Sequence, residues 1–253
     1  MTLASRKRTL VGILVLVVAI DAAIVVLFLR DPPSLSLAQL FSAGATALAV
    51  VLGVLFGALF LRLFRRNPSV SVFFVTISFL LIGTDSFKFV QLIALSQTFP
   101  QVAVVLSRVL IATNLLWVSA LAGAGLYAGG VRMQRHGTAI VSVVALVGVL
   151  AAAIPLDTGT MPENLVYDTV LPASLDVIVA MFSLMAVLNY VYAAVNDRSS
   201  RRLVAALAVA LIAFGREGLF HWIEPLPVLL SAVLLLTGAI LFALQHYREQ
   251  ILG

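Results

Sequence analysis

A small set of polar residues stands inside otherwise apolar stretches of this chain: Asp21, Asp85, Lys88, Arg108, Asn114, Asp176, Arg216, Glu217 and His221. A charged side chain at the centre of a bilayer costs about 2.5–3.5 kcal/mol on insertion scales, so such residues turn towards other helices or water and pair. Lys88, Arg108 and Arg216 could hold an anionic group. Asp85, Asp176 and Glu217 could hold a cation or relay a proton. Asp85 and Lys88 are three apart, and Glu217 and His221 four apart, so each pair shares a helix face and can interact. Ser107, Arg108 and Asn114 make one broad polar side. Asp21 has no local partner, which makes it either a pocket residue or a protonated core acid. Two readings stand together: a polar pocket, or mutually neutralising pairs that fix helix register.

The elements that carry these residues are apolar runs near 9–29, 37–61, 69–95, 101–128, 138–156, 170–194, 202–222 and 226–246. A transmembrane helix needs about 20 mostly apolar residues. Asp31-Pro32-Pro33, Asn67-Pro68, Pro100, Gly129-Gly130, Pro225 and Pro227 punctuate the runs as helix breakers and caps do. Their continuity favours helices over barrel strands, which alternate polar and apolar residues.

Basic residues gather at every second gap: Arg6, Lys7 and Arg8, then Arg62, Arg65 and Arg66, then Arg132 and Arg135, then Arg198, Arg201 and Arg202, and finally Arg248. Short loops rich in Lys and Arg stay cytoplasmic. The expectation is an all-α polytopic membrane bundle of eight transmembrane helices with both termini inside, in a bacterial-type inner membrane. Given those directions, the polar residues share one level in the outer half of the bilayer. The first run is too long for the apolar core of a signal peptide and lacks a clear cleavage site, so it reads as a retained helix; cleavage would leave seven crossings.

Composition agrees. Apolar residues make up 62% and charged residues 11%, against roughly 45–50% and about 25% in soluble domains. With eight spans in 253 residues, no room remains for a soluble catalytic domain of ordinary size, and the chain reads as a single integral membrane domain, 1–253. The net charge of +5 follows from the cytoplasmic loops, where basic residues meet anionic headgroups; no nucleic-acid partner is implied. With no cysteine and three scattered histidines, no cofactor or metal site built from side chains is expected.

Motifs that would name a reaction are missing. Lys88 lies in the third run, whereas a retinal Schiff-base lysine belongs in the last helix. No G-x-S-x-G-like serine, H-E-x-x-H or phosphate-binding loop occurs. Asp85 and Asp176 lack the motifs of intramembrane aspartyl proteases. In architecture alone, an even-numbered bundle with an outward polar cluster resembles the membrane sensor modules at the front of bacterial signalling proteins.

Residues 55–89 align without a gap on 187–221, matching Gly83 with Gly215 and Asp85 with Glu217, and 104–113 resembles 228–237. Either the chain is a 4+4 parallel repeat with halves of about 1–128 and 129–253, or Leu- and Val-rich helices match by chance. Gly53 with Gly57, and Gly125 with Gly129, have the spacing that lets helix backbones approach.

The expected function is binding of a small charged or zwitterionic solute by Asp85, Lys88, Arg108, Asn114, Asp176, Arg216 and Glu217, in a sensor-like module or a transporter. The expected surroundings are the lipid bilayer and, for a structural subunit, a membrane-protein partner. The alternative is an enzyme on a lipid-linked substrate, with Asp85 or Glu217 as base and Arg108 as anion clamp.

Overall fold

The computed structural model describes residues 2–30, 36–66, 68–96, 100–130, 136–157, 172–222 and 224–252. Asp31-Pro32-Pro33, Asn67, Arg132, Arg135 and the loop from 158 through Tyr167 to 171 lie outside the described residues. Within them the protein is all-helical: α1 Leu3–Arg30, α2 Leu37–Arg66, α3 Val70–Gly83, α4 Phe87–Ser96, α5 Pro100–Ala128, α6 His136–Ala153, α7 Pro172–Asn196, α8 Ser200–His221 and α9 Pro225–Leu252.

Seven spans are long and apolar enough to cross a membrane: α1, α2, α3 with α4, α5, α7, α8 and α9. The expected span 138–156 corresponds to α6. Its apolar stretch among the described side chains, Ser142–Ala153, is shorter than the ~20 residues a crossing needs.

The expected helix 69–95 is present as one span, Val70–Ala94, which tightens into a 3-10 turn at Thr84–Ser86 between α3 and α4. The cause is local. Gly83 is followed by three short polar residues, and such side chains compete with the helix for its backbone groups. The Thr84 hydroxyl donates to the Leu81 carbonyl at 2.6 Å. Ser69 caps the other end of α3, accepting from the Val72 N–H at 3.1 Å.

The α3–α4 span and α8 are the core of the bundle, each 61% buried over its most apolar window, and α1 is the most peripheral helix at 17%. On α1 only Leu10, Val17 and Ile24 are buried, while Val15, Leu16, Val26 and Leu29 face outward. An apolar exterior is what a lipid-facing helix requires.

Among lipids, helix association rests on close packing rather than on the hydrophobic effect, so small residues mark the contacts. A Cβ at Gly53 would lie 2.7 Å from the Gly83 nitrogen, and one at Gly125 would lie 2.7 Å from Ala186 backbone atoms. These glycines bring α2 onto α3 and α5 onto α7. Gly57 and Gly129 likewise meet Leu80 and Asn189, so both GxxxG pairs serve packing. The tightest approach joins α8 to α9: Gly215 lies against the backbone of Ser231 and Leu235, and Gly238 against Ala208 and Ile212.

Rings fill the middle of the bundle. Phe79 packs at a tilt against Phe60 at 5.2 Å and Phe56 at 5.6 Å, Phe60 meets Phe242 at 5.6 Å, and Phe242 meets Tyr190 at 6.0 Å. The Tyr190 hydroxyl reaches Ser71 at 2.7 Å, which ties α7 to α3.

Candidate functional site

About 9 Å beyond Phe79 along the third span, at 1.5 Å per residue, the interior turns ionic. Asp85, Lys88 and Arg216 are buried, and Arg216 and Lys88 rank with Trp117 and Phe60 among the largest fully buried side chains. Each is placed by a different constraint. Asp85 is carried by the 3-10 turn. Arg216 follows Gly215, whose missing side chain presses α8 against α9. Asn114 and Trp117 stand one turn apart on α5 and share a face.

Arg216 organises the cluster. Its Nη2 donates to Asp85 Oδ1 at 3.0 Å and Oδ2 at 3.3 Å. Its Nη1 donates to Asn114 Oδ1 at 2.7 Å and to Glu217 Oε1 at 3.2 Å. The guanidinium carbon lies 4.2 Å from the Phe220 ring centroid and 5.1 Å from that of Trp117, where the ring faces attract a cation. One guanidinium thus joins α3, α5 and α8 and bonds two acids at once.

The expected pairing of Asp85 with Lys88 is corrected. Asp85 takes Arg216, and the Lys88 ammonium donates to the Phe220 carbonyl at 2.8 Å while lying 4.1 Å from the same residue's ring. Phe220 is next to the last residue of α8, whose final carbonyls have no partner within the helix and carry its negative dipole end. Lys88 is therefore a helix cap. Lys88→Met leaves that carbonyl unpaired inside the bundle and should lower stability by about 1–3 kcal/mol, measured as detergent-solubilised unfolding; an unchanged midpoint would end the cap assignment.

Arg108 repeats the device elsewhere. It donates to the carbonyls of Ala151, at 3.3 Å, and Ala152, in the last turn of α6. It precedes Asn114 by six residues, about 9 Å along α5. Asp176 is exposed on α7. The structure therefore gathers Asp85, Lys88, Asn114, Arg216 and Glu217 and sets Arg108 and Asp176 apart. The Glu217–His221 contact expected from their spacing is present at 3.4 Å.

Two contributors carried no readable signal, and a third, Gln91, only a faint one. Trp117 and Phe220 look like ordinary apolar residues until Arg216 is placed between them. Gln91, one turn beyond Lys88, is buried and donates to Ser107 Oγ at 2.7 Å; its i+3 relation to Lys88 was the available clue.

The cluster reaches the surface at one edge. The Arg216 and Asp85 side chains are 1% and 4% exposed, Glu217 is 22% and His221 44%. Among the described residues no group of three or more acids and histidines is arranged to hold a metal.

Among the described residues, seven long apolar spans around a buried ionic core define the class: a multi-pass helical membrane protein. Comparison with protein-family models, curated proteins and solved structures finds no match to the chain.

Proposed function

We propose that the protein is a receptor-like module of a bacterial-type inner membrane, with eight crossings and both termini cytoplasmic, that binds a small charged or zwitterionic solute. In this reading α6 completes the eighth crossing and the basic loops face the cytoplasm. The solute meets the outer edge of the ionic cluster at Glu217 and His221.

One observation carries the reading: Arg216 is shared between a buried acid, Asp85, and an acid that reaches the surface, Glu217. A solute ammonium at Glu217 competes with the guanidinium, which then settles more fully on Asp85. Occupancy at the edge is so converted into a change of contacts among α3, α5 and α8. A ligand shifts such an equilibrium by its differential affinity for the two arrangements.

The ring contacts among Phe56, Phe60, Phe79 and Phe242 fill the interior; in this reading they lie on the cytoplasmic side of the cluster, which favours reception over transport. Asn189, a polar residue of the inner half, donates to Met185 of its own helix at 2.7 Å. The enzyme reading needs Arg108 beside Asp85 or Glu217, and Arg108 is engaged on α6 instead.

The test is a thermal-shift screen of the purified protein against amino acids, betaines and diamines. Glu217→Gln is expected to weaken any hit at least about tenfold, equivalent to 1.4 kcal/mol. A hit that Glu217→Gln leaves unchanged moves the site elsewhere. Robust flux of that solute into liposomes would remove the receptor reading.

A further inference from the structure

Asp21 lies on the inward stripe of α1 with Val17 and Ile24. Gly83 admits this stripe, since a Cβ there would sit 2.7 Å from the Val17 side chain. Both Asp21 carboxyl oxygens are covered by protein, and the polar group that approaches them is the Ser86 hydroxyl. Ser86 lies in the 3-10 turn, is 2% exposed, and has no other hydrogen-bond partner for its hydroxyl. Three buried oxygens thus converge where the third span tightens into that turn.

Among the described residues no charged side chain neutralises Asp21. Asp85 is turned to Arg216 and Lys88 to Phe220. On α2, Arg62, Arg65 and Arg66 stand near its far end, nine or more residues beyond the Gly53–Gly83 contact, which is about 14 Å or more along the axis. α3 has no ionisable residue. An uncompensated carboxylate in a low-dielectric site is costly enough that it binds a cation or takes up a proton. A hard oxygen-only set suits a small hard cation, Na⁺ or H⁺.

We propose that Asp21 and Ser86, at the junction of α1 with the Thr84–Ser86 turn, form a binding site for one small monovalent cation. The cation supplies the single positive charge that the packing omits, and the two candidates, Na⁺ and a proton, share that chemistry. The site is distinct from the solute edge at Glu217. It borders the ionic cluster all the same, because one short turn presents Ser86 to Asp21 and Asp85 to Arg216. The proposal does not depend on the solute-binding reading.

The experiment measures thermal stability of the full-length purified protein as NaCl replaces choline chloride at constant ionic strength, and separately as pH is varied without Na⁺. Saturating a site at a hundredfold excess over its Kd raises the midpoint by about 5–10 °C in a domain of this size. A rise with NaCl that Asp21→Asn abolishes identifies Na⁺. A pH-dependent midpoint, insensitive to NaCl and flattened by Asp21→Asn, identifies the proton. Should Asp21→Asn fail to fold, Ser86→Ala removes one of the three oxygens and should weaken whichever response the wild type shows. Absence of both responses in the wild type, or a response that these variants leave intact, overturns the proposal.

Discussion

Arg216→Met should lower stability by about 3–5 kcal/mol, the loss typical when one partner of a buried ion pair is removed and the other stays. Asp85 is left as a buried carboxylate without the Nη2 group that bonds both its oxygens, and Asn114 Oδ1 loses its 2.7 Å contact. Glu217 suffers less, because it is partly exposed and keeps His221. In a domain of this size the change is on the order of 10 °C in midpoint. The double variant Asp85→Leu with Arg216→Met should recover most of the loss, since apolar replacement of a whole buried pair is often neutral. Detergent-solubilised unfolding of the four proteins in a double-mutant cycle makes the comparison. If Arg216→Met melts within about 1 °C of the wild type, the cluster has no part in holding α3, α5 and α8 together.

Gly215→Val should be at least as damaging, by about 3 kcal/mol or more, through overpacking. The added Cβ would meet Ser231 O at 2.6 Å and Leu235 Cα at 2.7 Å. These are backbone atoms of a helix that cannot rotate away as a side chain can. Gly238, closing on Ala208 O at 2.7 Å, holds α9 at the same distance further along. Gly44 provides the contrast: nothing lies within 4 Å of its added Cβ. Gly44→Ala should therefore be neutral or stabilising by up to about 1 kcal/mol, from helix propensity alone. Yield and unfolding midpoint of the two variants separate a packing role from a general intolerance of substitution, and equal behaviour would refute the packing argument.

Long apolar runs make membrane helices readable because hydrophobicity is a property of each residue, summed over a window. The positions of seven spans followed from that. The 3-10 turn at Thr84–Ser86 did not, because a window average smooths over three polar residues; what tightens the helix there is competition by small polar side chains for backbone bonds. In the site, isolated charges at Asp85, Arg216 and Glu217 were legible from their cost in a bilayer. Their partners were legible only within one helix. The i,i+4 rule found Glu217 with His221, whereas the i,i+3 rule paired Asp85 with Lys88 and missed Arg216, 131 residues away. Long-range pairing depends on how helices rotate against each other, and glycine contacts such as Gly215 on Leu235 set that rotation. Arg108 stands apart for the same reason: its spacing marks a polar face, and its guanidinium bonds the backbone of α6.

The separation of Asp85 from Arg216 along the chain also sets an order of assembly. At about 5–20 residues per second, ribosomes need roughly 7–26 s to synthesise 131 residues. Asp85 therefore leaves the ribosome long before the arginine that bonds it in the finished bundle. Throughout that interval the cation nearest in the chain is Lys88, one helical turn away. The carboxylate and the ammonium can escort each other through insertion, and each is released to its final partner when α8 arrives, the acid to Arg216 and the ammonium to the open end of α8 at Phe220. The short-range pair that the sequence advertises is thus suited to the nascent chain, and the long-range pair to the mature protein.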